Sequence, residues 1–162
     1  MQIGTRLIHP VFECADGYLV ALPIGTVLHA MLGHIAGDGL LDAAWLEEDW
    51  ETFDLRMMAE QETRFTREQV RDLFVRYFRL HTKEELFALG FAEGVTLAPI
   101  NTVADLTRFE QLDARGAWQE VVLPDGQNVR APGLFAKMNE APMAIRYVPP
   151  RLDEHGDQIR AE

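Results

Sequence analysis

The sequence predicts an α+β fold: hairpins form a small antiparallel sheet, helices pack against it, and an extended connector follows. Three observations favour this fold class. Two stretches are apolar runs interrupted by turn residues, as in hairpins, and two successive segments start with capping boxes and continue with helical apolar spacing. The chain has 162 residues and 48% hydrophobic content, which is enough for a hydrophobic core.

The first hairpin is predicted from residues 11–14 and 18–22, because Gly17 between them can adopt the positive φ that a tight turn demands. A helix follows the hairpin, and Thr26 is predicted to cap its start. Gly37 is predicted to end it. The apolar stripe of this helix, at 3.6-residue spacing, consists of Val27, Leu28, Met31, Leu32 and Ile35.

Residues 41–62 form an acidic segment with eight carboxylates and a single basic residue, Arg56. One interpretation is an acidic docking face or a cation site, although no Asp-x-Asp-x-Asp-Gly loop supports calcium binding. The other, which we favour, is a solvated helical surface whose apolar side chains turn inward. Those apolar side chains are Trp45, Trp50, Phe53, Leu55 and Met58.

Two capping boxes predict two helices in succession. Thr66 with Gln69 opens the first helix, and Thr82 with Glu85 opens the second. The second helix is predicted to last about two turns and to end at Gly90, which can take the left-handed conformation typical of a helix C terminus. The first helix carries a continuous apolar stripe of Val70, Leu73, Phe74, Tyr77 and Phe78.

Local signals are weaker in the rest of the chain. Asn101 or Thr102 is predicted to cap a short helix, and residues 109–112 are predicted to form a helical turn. A second hairpin is predicted over residues 118–130, with Pro124 among its turn residues.

The organisation of the chain follows from these elements. Residues 132–150 are rich in Pro, Ala and Met without a sustained period, which indicates an extended connector. We predict a small α+β domain over residues 9–106. Residues 107–162 are predicted to form a C-terminal hairpin and a connector that would return to a large domain missing from these residues.

Charge and cysteine content exclude several classes of function. Lys plus Arg number 15 against 26 Asp plus Glu, and the net charge of −11 repels nucleic acid and anionic membranes. The lone Cys14 excludes an intrachain disulfide framework. No apolar run approaches the roughly 20 residues that a bilayer span needs. The sequence therefore predicts a cytoplasmic protein with neither nucleic-acid nor membrane partners.

The sequence contains none of the common catalytic signatures GxGxxG, GxxxxGK[ST], GxSxG or HExxH. His29 and His34 are five residues apart, about 140° around a helix, so they do not form the zinc pair that shares one face. Cys14 lies in an apparent strand, where burial is favoured over nucleophilic chemistry. The adjacent Glu154 and His155 are predicted to cap or dock a helix. We assign no catalytic and no metal-binding residue.

A series of short motifs carries a resemblance to a known family. In chain order they are Asp16-Gly17-Tyr18, Gly94-Val95, Ala98-Pro99, Arg115-Gly116, the turn from Pro124 to Gly126, and Pro150-x-Leu152-x-Glu154-His155. Their order and spacing, from about residue 9 to 162, resemble the C-terminal portion of the class III CoA-transferases, which include formyl-CoA and carnitine CoA-transferases. Asp153 stands where that family usually has Gly.

The resemblance implies acyl-CoA chemistry by covalent catalysis. In the family, an Asp carboxylate attacks a thioester, forms a mixed anhydride, becomes an aspartyl-CoA thioester and passes CoA to an acceptor acid. That Asp and its Rossmann-like large domain are not found in these residues. We therefore expect the chain alone to be inactive and to need a large-domain polypeptide or a second copy of itself. Coenzyme A is then a substrate, with no covalently bound cofactor.

The substrate-proximal or CoA-proximal candidates are Ile24, Gly25 and Thr26, at a strand-to-helix junction whose backbone N–H groups can meet an anion. The simpler interpretation of these three residues is a helix cap. The racemase branch of the same family has members with Glu at this point, whereas Pro23 to Thr26 contain no acid, which favours a transferase. An α-methylacyl-CoA racemase-type member and a non-catalytic acyl-CoA-binding or protein-binding module remain as alternatives.

Overall fold

The computed structural model describes residues 2–3, 6–7, 10–134, 136 and 150–162. It is an α+β fold, as the sequence predicts, and it divides into two compact units, Met1–Ile100 and Asn101–Glu162. The described strands are β1 (Gln2–Ile3), β2 (Arg6–Leu7), β3 (Val11–Cys14), β4 (Gly17–Ala21), β5 (Leu97–Ile100), β6 (Trp118–Val122) and β7 (Asn128–Pro132). The described helices are α1 (Gly25–Gly37), α2 (Ala43–Glu47), α3 (Trp50–Met58), α4 (Arg67–Phe78), α5 (Lys83–Glu93), α6 (Val103–Thr107), α7 (Glu110–Ala114) and α8 (Gly156–Ala161).

The main sheet of the first unit is antiparallel, in the order β3-β4-β5. The predicted first hairpin is confirmed, with Phe12 opposite Leu19 and Cys14 opposite Gly17. Strand β5 then pairs with β4, which brings Pro99 opposite Leu19. A separate pair, β1 with β2, lies at the start of the chain.

The hydrophobic core lies between one face of this sheet and helices α1, α3, α4 and α5. Alternate strand residues point inward because successive side chains of a strand face opposite sides. The sheet contributes Phe12, Cys14, Leu19, Ala21 and Leu97 to the core. The helices contribute Val27, Leu28, Met31, Ile35, Trp50, Phe53, Val70, Leu73, Phe74, Tyr77, Phe78 and Leu86.

Helix α1 has the predicted apolar stripe but a different start. It begins at Gly25 with Ile24 as the N-cap, and no side chain caps it. The prediction that Thr26 is the cap is wrong, because the chain already turns before it: the Ile24 N–H donates to the Leu22 carbonyl at 2.9 Å. Thr26 therefore lies within the first turn and is exposed.

The acidic segment forms α2 and α3, and its aromatic residues point inward. Trp45 stacks on Phe65 with ring centroids 3.9 Å apart, and the Trp50 indole N–H donates to the Trp45 carbonyl at 2.7 Å. The favoured interpretation is confirmed for the aromatic residues. It is wrong for Leu55 and Met58, which are 67% and 65% exposed.

Most carboxylates of the acidic segment have local structural partners. Asp42 and Asp49 accept the capping N–H groups of α2 and α3. Glu47 pairs with Arg64 at 3.0 Å. The described residues contain no cluster of three His, Cys, Asp or Glu side chains that could hold a metal ion.

Helices α4 and α5 both carry the predicted capping boxes. However, α5 continues past Gly90 to Glu93, and Gly94 is its left-handed C-cap with φ 66°. The prediction that Gly90 ends the helix is wrong for a tertiary reason. A Cβ at position 90 would lie 2.9 Å from the Val95 carbonyl oxygen, so glycine is required there by the close approach of the chain that returns as β5.

The second unit has short elements. Thr102 forms a capping box with Asp105 at the start of α6, and the β6–β7 hairpin pairs Val121 with Val129. None of its described residues is buried. The predicted connector over residues 132–150 lies largely outside the described residues, and the predicted domains 9–106 and 107–162 remain a prediction. Among the described residues, no helix has the length and apolarity needed to cross a membrane.

Candidate functional site: the β4–α1 junction

The three candidate residues occupy the passage from β4 into α1. Ile24 is half-buried, Gly25 is buried and Thr26 is exposed. The junction is short because β4 ends at Ala21 and α1 begins at Gly25. The backbone N–H groups of the first helical turn therefore lie beside the end of a core strand.

The Gly25 N–H is already occupied by a carboxylate from α3. It donates to Oδ2 of Asp54 at 2.8 Å. This places a negative charge at the positive end of the α1 dipole, which stabilises the start of the helix. The anion at this amide is thus supplied by the protein itself.

Asp54 also faces Arg67 at the start of α4. Its Oδ1 lies 3.6 Å from Nη1 of Arg67, and this buried oxygen accepts no hydrogen bond. The side chains of Asp54 and Arg67 are 22% and 23% exposed, so solvent screens their attraction only in part. Asp54 therefore links the starts of α1 and α4 through one carboxylate.

Position 25 has no room for a side chain. A Cβ there would lie 2.6 Å from the Trp50 carbonyl oxygen and 3.0 Å from Cβ of Phe53. Contacts this short force the backbone to shift, so only glycine lets α1 pack this closely on α3. Together with the Asp54 hydrogen bond, this contact fixes the junction.

The other sequence candidates are held by structural contacts. Nε2 of His29 lies 3.8 Å from a Glu51 oxygen on α3, and Nε2 of His34 lies 2.9 Å from a Glu93 oxygen on α5. The two histidines thus point to different helices, as their spacing predicts. Cys14 is buried, and burial raises the pKa of its thiol, which disfavours the nucleophilic thiolate.

Near the chain end, Glu154 and His155 do not act as a pair in the structure. Oε2 of Glu154 accepts the Arg151 N–H at 2.6 Å, and His155 is the N-cap residue of α8 without a side-chain capping bond. The prediction that this pair caps or docks a helix is confirmed only to the extent that His155 precedes α8.

Sequence reasoning missed Asp54 and Arg67 as parts of the junction. Asp54 is 29 residues away from Gly25 in sequence, and it was one of eight acids in its segment. No local pattern marks such a pairing, because it depends on how α3 packs against α1. The signal that was available is the glycine itself, at the first position of a helix whose N-cap residue, Ile24, offers no side-chain acceptor.

Comparison with known proteins identifies the family. Residues 4–156 match the family model described as CoA-transferase family III. The chain belongs to CoA-transferase family III. This confirms the resemblance carried by the short motifs, and members of this family use CoA thioesters as substrates.

One curated relative and two solved structures are similar to this family III chain along nearly its whole length. The succinyl-CoA:(R)-benzylsuccinate CoA-transferase subunit BbsE of Thauera aromatica is 28% identical over 174 aligned positions, which span 99% of this chain and 39% of that protein. A CAIB/BAIF family protein from Brucella suis has a similar fold, with a TM-score of 0.56 at 23% identity over 94% of this chain and 38% of that one. Rv3272 of Mycobacterium tuberculosis gives a TM-score of 0.53 at 16% identity over 94% of this chain and 40% of that one.

The family III chain described here spans about two fifths of the length of the relatives that it matches. More than half of each relative therefore has no counterpart among these residues.

Proposed function

We propose that this chain is the C-terminal part or a subunit of an acyl-CoA transferase that moves CoA between carboxylic acids. The family match over residues 4–156 supports this proposal. BbsE, which aligns with nearly the whole chain, is described as a subunit of a CoA-transferase. By this proposal, the chain works with a large-domain polypeptide or with a second copy of itself.

One observation carries the expectation that these residues alone are inactive: the structure buries no polar residue in its described part. Covalent acyl transfer needs a nucleophile in a preorganised pocket from which water is excluded. Two of the more enclosed carboxylates are engaged elsewhere, Glu48 with Arg56 and Asp54 with the Gly25 N–H. The nucleophile and its pocket are therefore assigned to the rest of the enzyme.

The β4–α1 junction contributes position rather than chemistry in this proposal. Ile24, Gly25 and Thr26 lie beside the CoA thioester in the assembled enzyme. Because Asp54 accepts the Gly25 N–H, the groups left for the substrate are the Ile24 side chain and the exposed Thr26. Rigid placement of such groups lowers the entropic cost of aligning two reactants.

A racemase is the second candidate from the same family. Proton transfer at the substrate carbon needs a positioned acid or base. Position 24 is Ile, and the described residues of the junction carry no acid apart from Asp54, whose Oδ2 accepts the Gly25 N–H. The transferase is therefore favoured. Our proposal places the protein in the cytoplasm, where a lone buried cysteine stays reduced.

The test is reconstitution. The purified chain is mixed with a polypeptide that supplies the rest of the family III fold, and CoA exchange between two carboxylic acids is measured together with the melting temperature. We expect exchange only in the mixture and a higher melting temperature, since partner binding stabilises the folded state. Exchange by the isolated chain, or no exchange and no shift in the mixture, would contradict the proposal.

The non-catalytic alternative has its own measurement. CoA is titrated into the isolated chain and heat or tryptophan fluorescence is followed. Saturable binding by the isolated chain favours an acyl-CoA-binding module. The absence of binding at millimolar CoA counts against that module and agrees with a site completed by the large domain.

A further inference from the structure

The face of the β3-β4-β5 sheet that points away from the core is apolar. Six residues occupy it by strand alternation, and five of them are uncharged and apolar or aromatic. Antiparallel sheets with one face in water normally carry polar side chains on that face. The six residues are Val11, Glu13, Tyr18, Val20, Ala98 and Ile100.

The strand register makes these side chains contiguous. Val20 lies opposite both Val11 and Ala98, and Tyr18 lies opposite Ile100. Val11, Tyr18 and Ile100 are 46%, 53% and 44% exposed. These neighbours therefore form one exposed apolar patch across all three strands.

The single charged residue on this face, Glu13, lies on the edge strand β3 and pairs with Arg79. Oε2 of Glu13 accepts hydrogen bonds from Nη2 and Nε of Arg79, at 2.8 and 3.1 Å. Arg79 is the residue that follows α4. The centre of the patch is therefore free of charge.

Ala98 connects the patch to an apolar groove between α5 and β5. The groove has a volume of about 250 Å³, and Phe87, Phe91 and Val95 also line it. Phe91 is 77% exposed, and its ring meets that of Phe87 edge to face with centroids 5.0 Å apart. We call the patch and the groove together the outer apolar surface.

We propose that the outer apolar surface is the docking surface for the rest of the CoA-transferase fold. This rests on the proposed function, and it names the part of the chain that the large domain covers. Relatives of the chain carry about three fifths of their length outside the matched region, so they contain the protein needed to cover it. A sheet with helices on one face and apolar residues on the other accommodates a third layer.

The chemistry of the occupant follows from the surface. An uncharged centre is matched by an apolar helix or strand face, because a charge placed there loses its water without gaining a partner. The exposed Phe91 fits a pocket in that occupant, as aromatic anchors do at protein interfaces. Large exposed apolar patches are typical of such interfaces.

The test uses cysteine labelling, for which the chain has a low background because its single cysteine is buried. Ile100→Cys reports on the outer apolar surface, and Gln61→Cys, in the exposed segment between α3 and α4, is the matched control. Maleimide labelling is followed in the isolated chain and in the assembly with a polypeptide that supplies the rest of the family III fold. We expect at least about tenfold slower labelling of Ile100→Cys in the assembly, and no change for Gln61→Cys.

Three results would overturn the proposal. One is an equal labelling rate of Ile100→Cys in the isolated chain and in the assembly. Another is slow labelling in the dilute isolated chain, because the chain would then cover the face itself. The last is a labelling rate that falls as the isolated chain is concentrated, because the occupant would then be a second copy.

A charge variant separates docking from activity. Tyr18→Lys should weaken the affinity for the large-domain polypeptide by about tenfold or more, whereas Gln61→Lys should leave it unchanged. CoA exchange by the unmodified assembly is measured separately. CoA exchange without protection of Ile100→Cys would refute the docking surface and leave the proposed function standing. Protection of Ile100→Cys without CoA exchange would support the docking surface and refute the proposed function.

Discussion

At the residue scale, the motifs that identify the family are positions of special backbone geometry. Oδ1 of Asp16 accepts the Lys83 N–H at 2.7 Å, so the hairpin turn carries a carboxylate to the first residue of α5. Gly94 is the left-handed C-cap of α5. Asp153, where the family usually has Gly, adopts φ 60°. These motifs reveal the fold without revealing a nucleophile.

Gly25 gives the first prediction. Gly25→Ala should lower the free energy of unfolding by about 1–3 kcal/mol, because its Cβ would overlap the Trp50 carbonyl. Gly33→Ala is the control in the same helix, since a Cβ there meets nothing within 4 Å. It should be neutral or stabilise by up to about 1 kcal/mol. Chemical denaturation measures both, and equal losses would contradict the close approach at position 25.

Asp54 gives the second prediction. Asp54→Ala removes the acceptor of the Gly25 N–H and leaves Arg67 without its carboxylate, which should cost about 1–3 kcal/mol of unfolding free energy. Asp72→Ala, at an exposed position of α4, should change stability by less than about 0.5 kcal/mol. Urea denaturation compares the two. A loss at position 54 no larger than at position 72 would remove the structural role of Asp54.

At the element scale, what the sequence predicts depends on how local the signal is. The capping boxes of α4 and α5 are complete within three residues, and both form as predicted. The start of α1 is mispredicted because the chain already turns at Ile24, which has no side-chain acceptor. The end of α5 is mispredicted because the passing strand β5 requires a glycine at position 90 inside the helix. Contacts between segments far apart in sequence leave no periodic trace.

Helix α4 gives the third prediction, which concerns alkaline pH. Burial raises the pKa of Tyr77 to about 12, and Asp38 and Glu85 add to the rise. The folded state therefore holds this proton more tightly than the unfolded state. The resulting stability is complete below the unfolded pKa near 10 and is lost as pH rises through about 12.

Tyr77→Phe removes that dependence. We expect the wild-type protein to lose stability between about pH 10 and 12 more steeply than Tyr77→Phe, because the variant has no phenol to ionise. Urea denaturation at several pH values measures the difference, and phenolate absorbance reports the ionisation. If stability falls with pH equally steeply in the two proteins, the pKa of Tyr77 is the same in the folded and unfolded states, which would contradict the prediction.

At the scale of the whole molecule, every buried residue of the described part lies in the first unit. The sequence predicts this core well, because its helical stripes and alternating strands recur at fixed spacing. It predicts the candidate site poorly. Asp54 and Arg67 meet at the junction only because α1, α3 and α4 share that core.

Two phenylalanines give the fourth prediction. Phe74 is completely buried, so Phe74→Ala should cost about 3–5 kcal/mol of unfolding free energy. Phe91 is 77% exposed, so Phe91→Ala in the isolated chain should cost less than about 0.5 kcal/mol. Thermal or chemical denaturation measures both. Similar losses would mean that the outer apolar surface belongs to the core of the isolated chain.

The carboxylate at the start of α1 constrains how this junction can diverge. An acid at position 24 would stand one residue from the Gly25 amide, whose N–H already donates to the Asp54 carboxylate. The two negative charges would repel, and one of them would hold a proton at higher pH than an ordinary carboxyl does. Asp54 would therefore help to set the pKa of any acid acquired at position 24, and with it the proton transfers open to this junction.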